Sequence, residues 1–101
     1  MRTFGKDAPE FLEFKLGDSK KVHRIPLMTS LPLDLARRYA EIASEADEGA
    51  RDKMAIDLQI EILNRYVGED VAKSLSVRDM REIFEAWSEE SERAAGATVG
   101  E

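Results

Sequence analysis

Apolar residues recur at every fourth position through the middle of this chain, at Met54, Leu58, Ile62 and Tyr66, and Ile56, Ile60, Leu63 and Val67 widen the stripe. Residues four apart share one side of an α-helix, and the pattern predicts a helix over about residues 50–67. Gly68 follows where a left-handed C-terminal cap would end it. A helix with so broad an apolar face must be covered by the rest of the chain, which makes it the predicted centre of the core.

The flanking sequence supplies partners for that helix. Leu31, Leu35, Ile42 and Ala46, with Tyr39 between them, mark a first helix beginning near Ser30. There the Ser30 hydroxyl can cap exposed N–H groups, and Pro32 falls in the first turn, where it is tolerated. Asp47-Glu48-Gly49 separates the two helices. After Gly68, the residues Val71, Ala72 and Leu75 predict a short helical turn, and Ser76 then opens a last helix. The Ser76 hydroxyl can accept from the Asp79 N–H, while the Asp79 carboxylate suits the positive end of the helix dipole. The arrangement resembles a capping box, with Leu75 and Met80 placed as a hydrophobic staple. Val77, Met80, Phe84 and Trp87 line one face through to Ser91.

Upstream the period changes. Leu12, Phe14 and Leu16 alternate with Glu13 and Lys15, and Val22 to Leu27 can return after Gly17-Asp18-Ser19-Lys20, so residues 11–27 read as a β-hairpin with a loop of about four residues. Pro26 cannot donate to a ladder and belongs at a strand end or edge. Residues 1–10 show no periodicity and read as a flexible lead; the small residues of 94–101 read as a disordered tail. The predicted fold is a single, mostly α domain over residues 1–101, with the hairpin packed on a bundle of three to four helices spanning 30–91.

Composition narrows the function. Charged residues make up 36% of the chain and hydrophobic ones 43%, against about 25% and 45–50% in typical domains; this suits a thin globule with broad wet faces. The absence of cysteine excludes disulfides, thiolate metal sites and a cysteine nucleophile. No apolar run approaches the roughly 20 residues of a membrane span, and Met1 to Lys6 lack the apolar stretch of a signal peptide, so a cytoplasmic location is expected. Residues 41–101 carry seven Lys/Arg against sixteen Asp/Glu, a net charge of −9, while residues 1–40 carry eight against five, a net of +3. A surface so acidic repels a phosphate backbone, and nucleic acid is not an expected ligand.

Nothing in the sequence assembles a catalytic constellation. His23 is the lone histidine and no thiol exists to join it on a metal. The glycines form neither a nucleophile elbow nor a phosphate loop. The pairs Glu41/Glu45 and Glu85/Glu89 fall on polar, solvated helix faces, whereas acid/base work by two carboxylates needs burial to set them apart. An acyl carrier protein would need Asp-Ser-Leu at a helix start, whereas this chain has Thr29-Ser30-Leu31 followed by Pro32. The reading is a binding protein without enzyme activity, cofactor or metal. Aromatic residues concentrate at protein interfaces, so the candidate partner surface is Phe84 and Trp87 with their neighbours Met80 and Ile83.

The stretch from Leu75 to Ser91 has the form Leu-Ser-Val-x-Asp-Met-x-x-Ile-Phe-x-Ala-Trp-x-Glu-x-Ser. It resembles the last helix of the tail assembly chaperones of long-tailed bacteriophages, particularly those of actinobacterial hosts. A β-rich N-terminal segment, the proline-containing run from Ile25-Pro26-Leu27 to Leu31-Pro32-Leu33, a central helical region and a small-residue tail are similar too. Gly100-Glu101 resembles the region where the reading frame shifts in such genes. The resemblance implies a chaperone that binds the helical tape measure protein in the host cytoplasm, keeps it soluble and leaves before the virion is complete. It also implies a longer frameshift product that meets the tail tube protein, and self-association would suit repeated binding along a rod-like client. The alternative is a general helical adaptor or regulatory module of phage or bacterial origin.

Overall fold

A computed structural model describes residues 1–5 and 8–99, with the backbone alone for 97–99. Its elements, in order, are β1 (Phe11–Phe14), β2 (His23–Pro26), a 3-10 turn (Met28–Ser30), α1 (Leu33–Ser44), α2 (Glu48–Tyr66), α3 (Glu69–Ala72) and α4 (Val77–Val99). The chain is mostly helical with an N-terminal antiparallel hairpin, as the two periodicities predict.

In the hairpin Leu12 pairs with Ile25 and Phe14 with His23, all four turned inward, while Glu13 pairs with Arg24 on the exposed side and bridges it at 2.9 Å. The connection is eight residues, Lys15–Val22, and not four. The cause is local. Gly17 adopts φ +54°, the Ser19 N–H turns back to the Leu16 carbonyl, and the Lys21 N–H goes to Ser19 Oγ, so these donors leave the ladder early. Pro26 ends β2, as a residue without an N–H should.

The first helix starts later than predicted. Pro32 forces the residue before it out of the helical region, and Leu31 is extended at φ −66°, ψ 141°, so α1 begins only at Leu33. Ser30 does not cap it. Its hydroxyl accepts the Glu10 N–H at 2.9 Å and ties the lead to the 3-10 turn. The second helix starts earlier than predicted, because Asp47 caps it by accepting the Ala50 N–H at 2.8 Å and Gly49 simply joins the first turn. Gly68 ends that helix with φ +107° but ψ 142°, a region open to glycine and outside the left-handed helical basin. At the start of α4 the reciprocal pair forms: Asp79 N–H to Ser76 Oγ at 3.1 Å, Ser76 N–H to Asp79 Oδ2 at 2.9 Å. The helix runs on to Val99, past Ser91, because Ala94, Ala95 and Ala97 favour helix and outweigh the roughly 1 kcal/mol cost of Gly96. Gly100 and Glu101 of the expected tail lie outside the described residues.

The core joins Ile25 and Leu27 from the hairpin exit, Leu31 and Leu35, four residues of α2 and its cap (Leu58, Ile62, Leu63, Val67), and Ile83, Phe84 and Trp87 of α4. Two long-range hydrogen bonds hold α4 across the hairpin exit. Trp87 Nε1–H donates to the Pro26 carbonyl at 2.8 Å, and the Met28 N–H donates to Ser91 Oγ at 3.1 Å. Pro26 is the last residue of β2 and Met28 lies beyond it, so α4 side chains complete bonds at the end of the two-stranded ladder.

Two substitutions test this account by urea denaturation followed by circular dichroism. Trp87→Phe keeps a ring but strands the Pro26 carbonyl, and is expected to cost about 1–3 kcal/mol. Ser76→Ala removes one half of the α4 cap and is expected to cost about 1 kcal/mol.

Candidate functional site

A groove of about 710 Å³ opens between α2 and α4. One wall is the face of α2 carrying Asp52, Ala55, Ile56 and Gln59; the other is the face of α4 carrying Val77, Met80, Arg81, Glu85 and Ser88. Its floor is aromatic. Tyr39 of α1 stacks on Trp87 with ring centres 5.5 Å apart, and Phe84 meets Trp87 edge-on at 6.1 Å.

Why it is open follows from the azimuths of the apolar residues. At 100° per residue Ile56 lies about 160° around the helix from Leu58, beside Leu63 and Val67. Leu63 and Val67 are sealed, whereas Ile56, two and three turns earlier on the same face, is 48% exposed. On α4, Val77 shares the face of Phe84 two turns on, yet Val77 is 68% exposed and Phe84 5%. Each helix therefore passes from a covered end to an uncovered end, and the two uncovered stretches face one space.

Ile83, Phe84 and Trp87, read from the sequence as a candidate partner surface with Met80, are buried within the chain's own core, and only Met80 of the four is partly exposed, on the groove wall. The hairpin exit covers the aromatic stripe that α4 presents, and periodicity cannot distinguish cover supplied by the same chain from cover supplied by another. Phe84 and Trp87 still reach the groove, but as its floor. The residues that sequence reasoning missed are Ile56, Val77 and Tyr39. A signal for Ile56 existed in the unusually wide apolar face of α2.

Several polar groups outside the groove hold the fold together. His23 is buried against the Phe14 ring, 5.7 Å between centres, in β2. Arg65 holds the Asp34 carboxyl below its usual range through a hydrogen bond and binds Glu61, which also pairs with Arg38; this exposed network joins α1 to α2. Hydrogen bonds from Ser76 likewise depress Asp79. Among the described residues no group of three or more His, Asp or Glu is placed to hold a metal, and no helix is long and apolar enough to cross a membrane. No known protein family, curated protein or solved structure matches the chain.

Tyr39 supplies a test of the groove floor. Burial pushes its hydroxyl up to about 12 from 10. The folded state thus holds the proton more tightly than the unfolded state, and the stability present below pH 10 is lost as pH rises toward 12. Thermal unfolding across this window should show the fall in the natural chain and a shallower fall in Tyr39→Phe, and tyrosinate absorbance should lose its highest-pH component in that variant.

Proposed function

We propose that the protein is a tail assembly chaperone of a long-tailed bacteriophage, binding the tape measure protein in the host cytoplasm during tail morphogenesis and absent from the finished virion. The observation that carries this reading is the Leu75–Ser91 stretch, whose resemblance to the last helix of that family extends over its capping residues, its apolar positions and its Ala-Trp pair.

The groove gives the reading a physical means. A long helical client exposes apolar stripes that aggregate if left bare, and an apolar groove between two helices is a general way to cover one. Covering Ile56, Val77 and Met80 contributes on the order of 1 kcal/mol each. That is enough to hold a client when the contact repeats along a rod, and weak enough to release it when tail tube subunits compete. The exposed carboxylates of α2 and α4 keep such a complex soluble and away from phage DNA.

The test is co-expression with a tape measure protein from the same phage or prophage. The client is expected to remain soluble and to co-purify with this chain. If it precipitates as it does alone and nothing co-purifies, the chaperone reading fails.

A further inference from the structure

We infer that the groove between α2 and α4 takes one amphipathic helix of a partner protein, with an apolar stripe flanked by lysine or arginine. This deepens the chaperone reading, and rests on it only for the identity of the protein that carries the helix.

The shape sets the class of occupant. Both walls present side chains at helical spacing, and from Val77 to Glu89 the α4 wall is about 18 Å long, the length of roughly three turns of a docked helix. The floor is aromatic, and the flanks at Ile56 and Val77 are exposed.

Charge selects within that class. Asp52 stands on one wall and Glu85 and Glu89 on the other, all exposed, and none makes an ion pair among the described residues. Among the described residues, Arg81 is the single cation on the groove's rim. A basic-flanked helix meets opposite charge on both sides, which favours its encounter and its register. A second copy of this chain would bring its own acidic helices to an acidic rim. The chain's N-terminal lead is a poor occupant as a helix, because Gly5 and Pro9 interrupt it and its end at Glu10 is bonded to Ser30.

The experiment titrates the full chain with two synthetic peptides of about 18 residues. They share one leucine stripe at helical spacing and differ only in flanking lysines or flanking glutamates. Trp87, the one tryptophan and part of the groove floor, reports binding by fluorescence, with calorimetry for stoichiometry. The lysine peptide should bind one to one, and the glutamate peptide should bind roughly tenfold more weakly or worse. The combined variant Asp52→Lys, Glu85→Lys, Glu89→Lys, with its folding checked by circular dichroism, should reverse the preference.

The inference is overturned if neither peptide binds, if both bind alike, or if the variant keeps the original preference. It is also overturned if sedimentation shows a dimer that the lysine peptide cannot dissociate, or if the peptide binds only after residues 1–9 are removed, since a second copy or the lead would then be the occupant. Failure of the two readings is separable. A tape measure protein that co-purifies undiminished with the charge-reversed chain rejects the groove and keeps the chaperone. A lysine peptide that binds and switches, beside a tape measure protein that never co-purifies, keeps the groove and rejects the chaperone.

Discussion

The indole of Trp87 ties together parts of the chain that have no other reason to meet. Its N–H is buried and must have an acceptor, and the carbonyl of Pro26, the last residue of β2, supplies one at 2.8 Å. Tyr39 stacks on one side of the ring and Phe84 meets it edge-on. Hairpin, α1 and α4 are thereby fixed about one side chain. In a chain of 101 residues, with few apolar residues to spare, one such junction decides where the longest helix lies.

Placing α4 against the hairpin exit has a cost elsewhere. The backbone of α4 comes close to the 3-10 turn and β1, while α2 is approached mainly by α1, α3 and β2. The two longest helices therefore do not lie along each other throughout, and the space between their uncovered ends becomes the groove. The molecule is correspondingly thin, 47 × 41 × 23 Å, with a radius of gyration of 14.9 Å against about 13 Å for a compact domain of this length. Its accessible surface, 7586 Å², exceeds the roughly 5,800 Å² expected for its mass. The exposed lead with Phe4 accounts for part of that excess, and the open helix faces for another part.

Much of the fold was legible because it depends on local rules. Ser76 and Asp79 are three apart and cap each other whatever the rest of the chain does, and Leu12 and Phe14 alternate because a strand has period two. The misplaced boundaries also have local causes that weigh more than the cues first read. At Leu31 the constraint imposed by Pro32 overrides the capping tendency of Ser30, and at Asp47 a good cap outweighs Gly49 as a breaker. The site was legible only in outline. Ile56 and Ile60 announce a face of α2 wider than one partner needs, but they do not say which part of that face stays uncovered. Phe84 and Trp87 announce an apolar face on α4, but the hairpin exit that covers them lies about sixty residues earlier in the chain.

By itself the sequence determined the kinds of element, their order, the cap that starts α4 and the acidic character of the second half, since each depends on neighbours within a turn or on simple counts. Tertiary structure alone decided that the aromatic stripe of α4 faces inward, that Ile56 and Val77 stay in water, and that Asp52 faces Glu85 and Glu89 across one groove. Those outcomes turn on which distant segment reaches a face first. A helical face is equally apolar whether its own chain covers it, a partner covers it or nothing does.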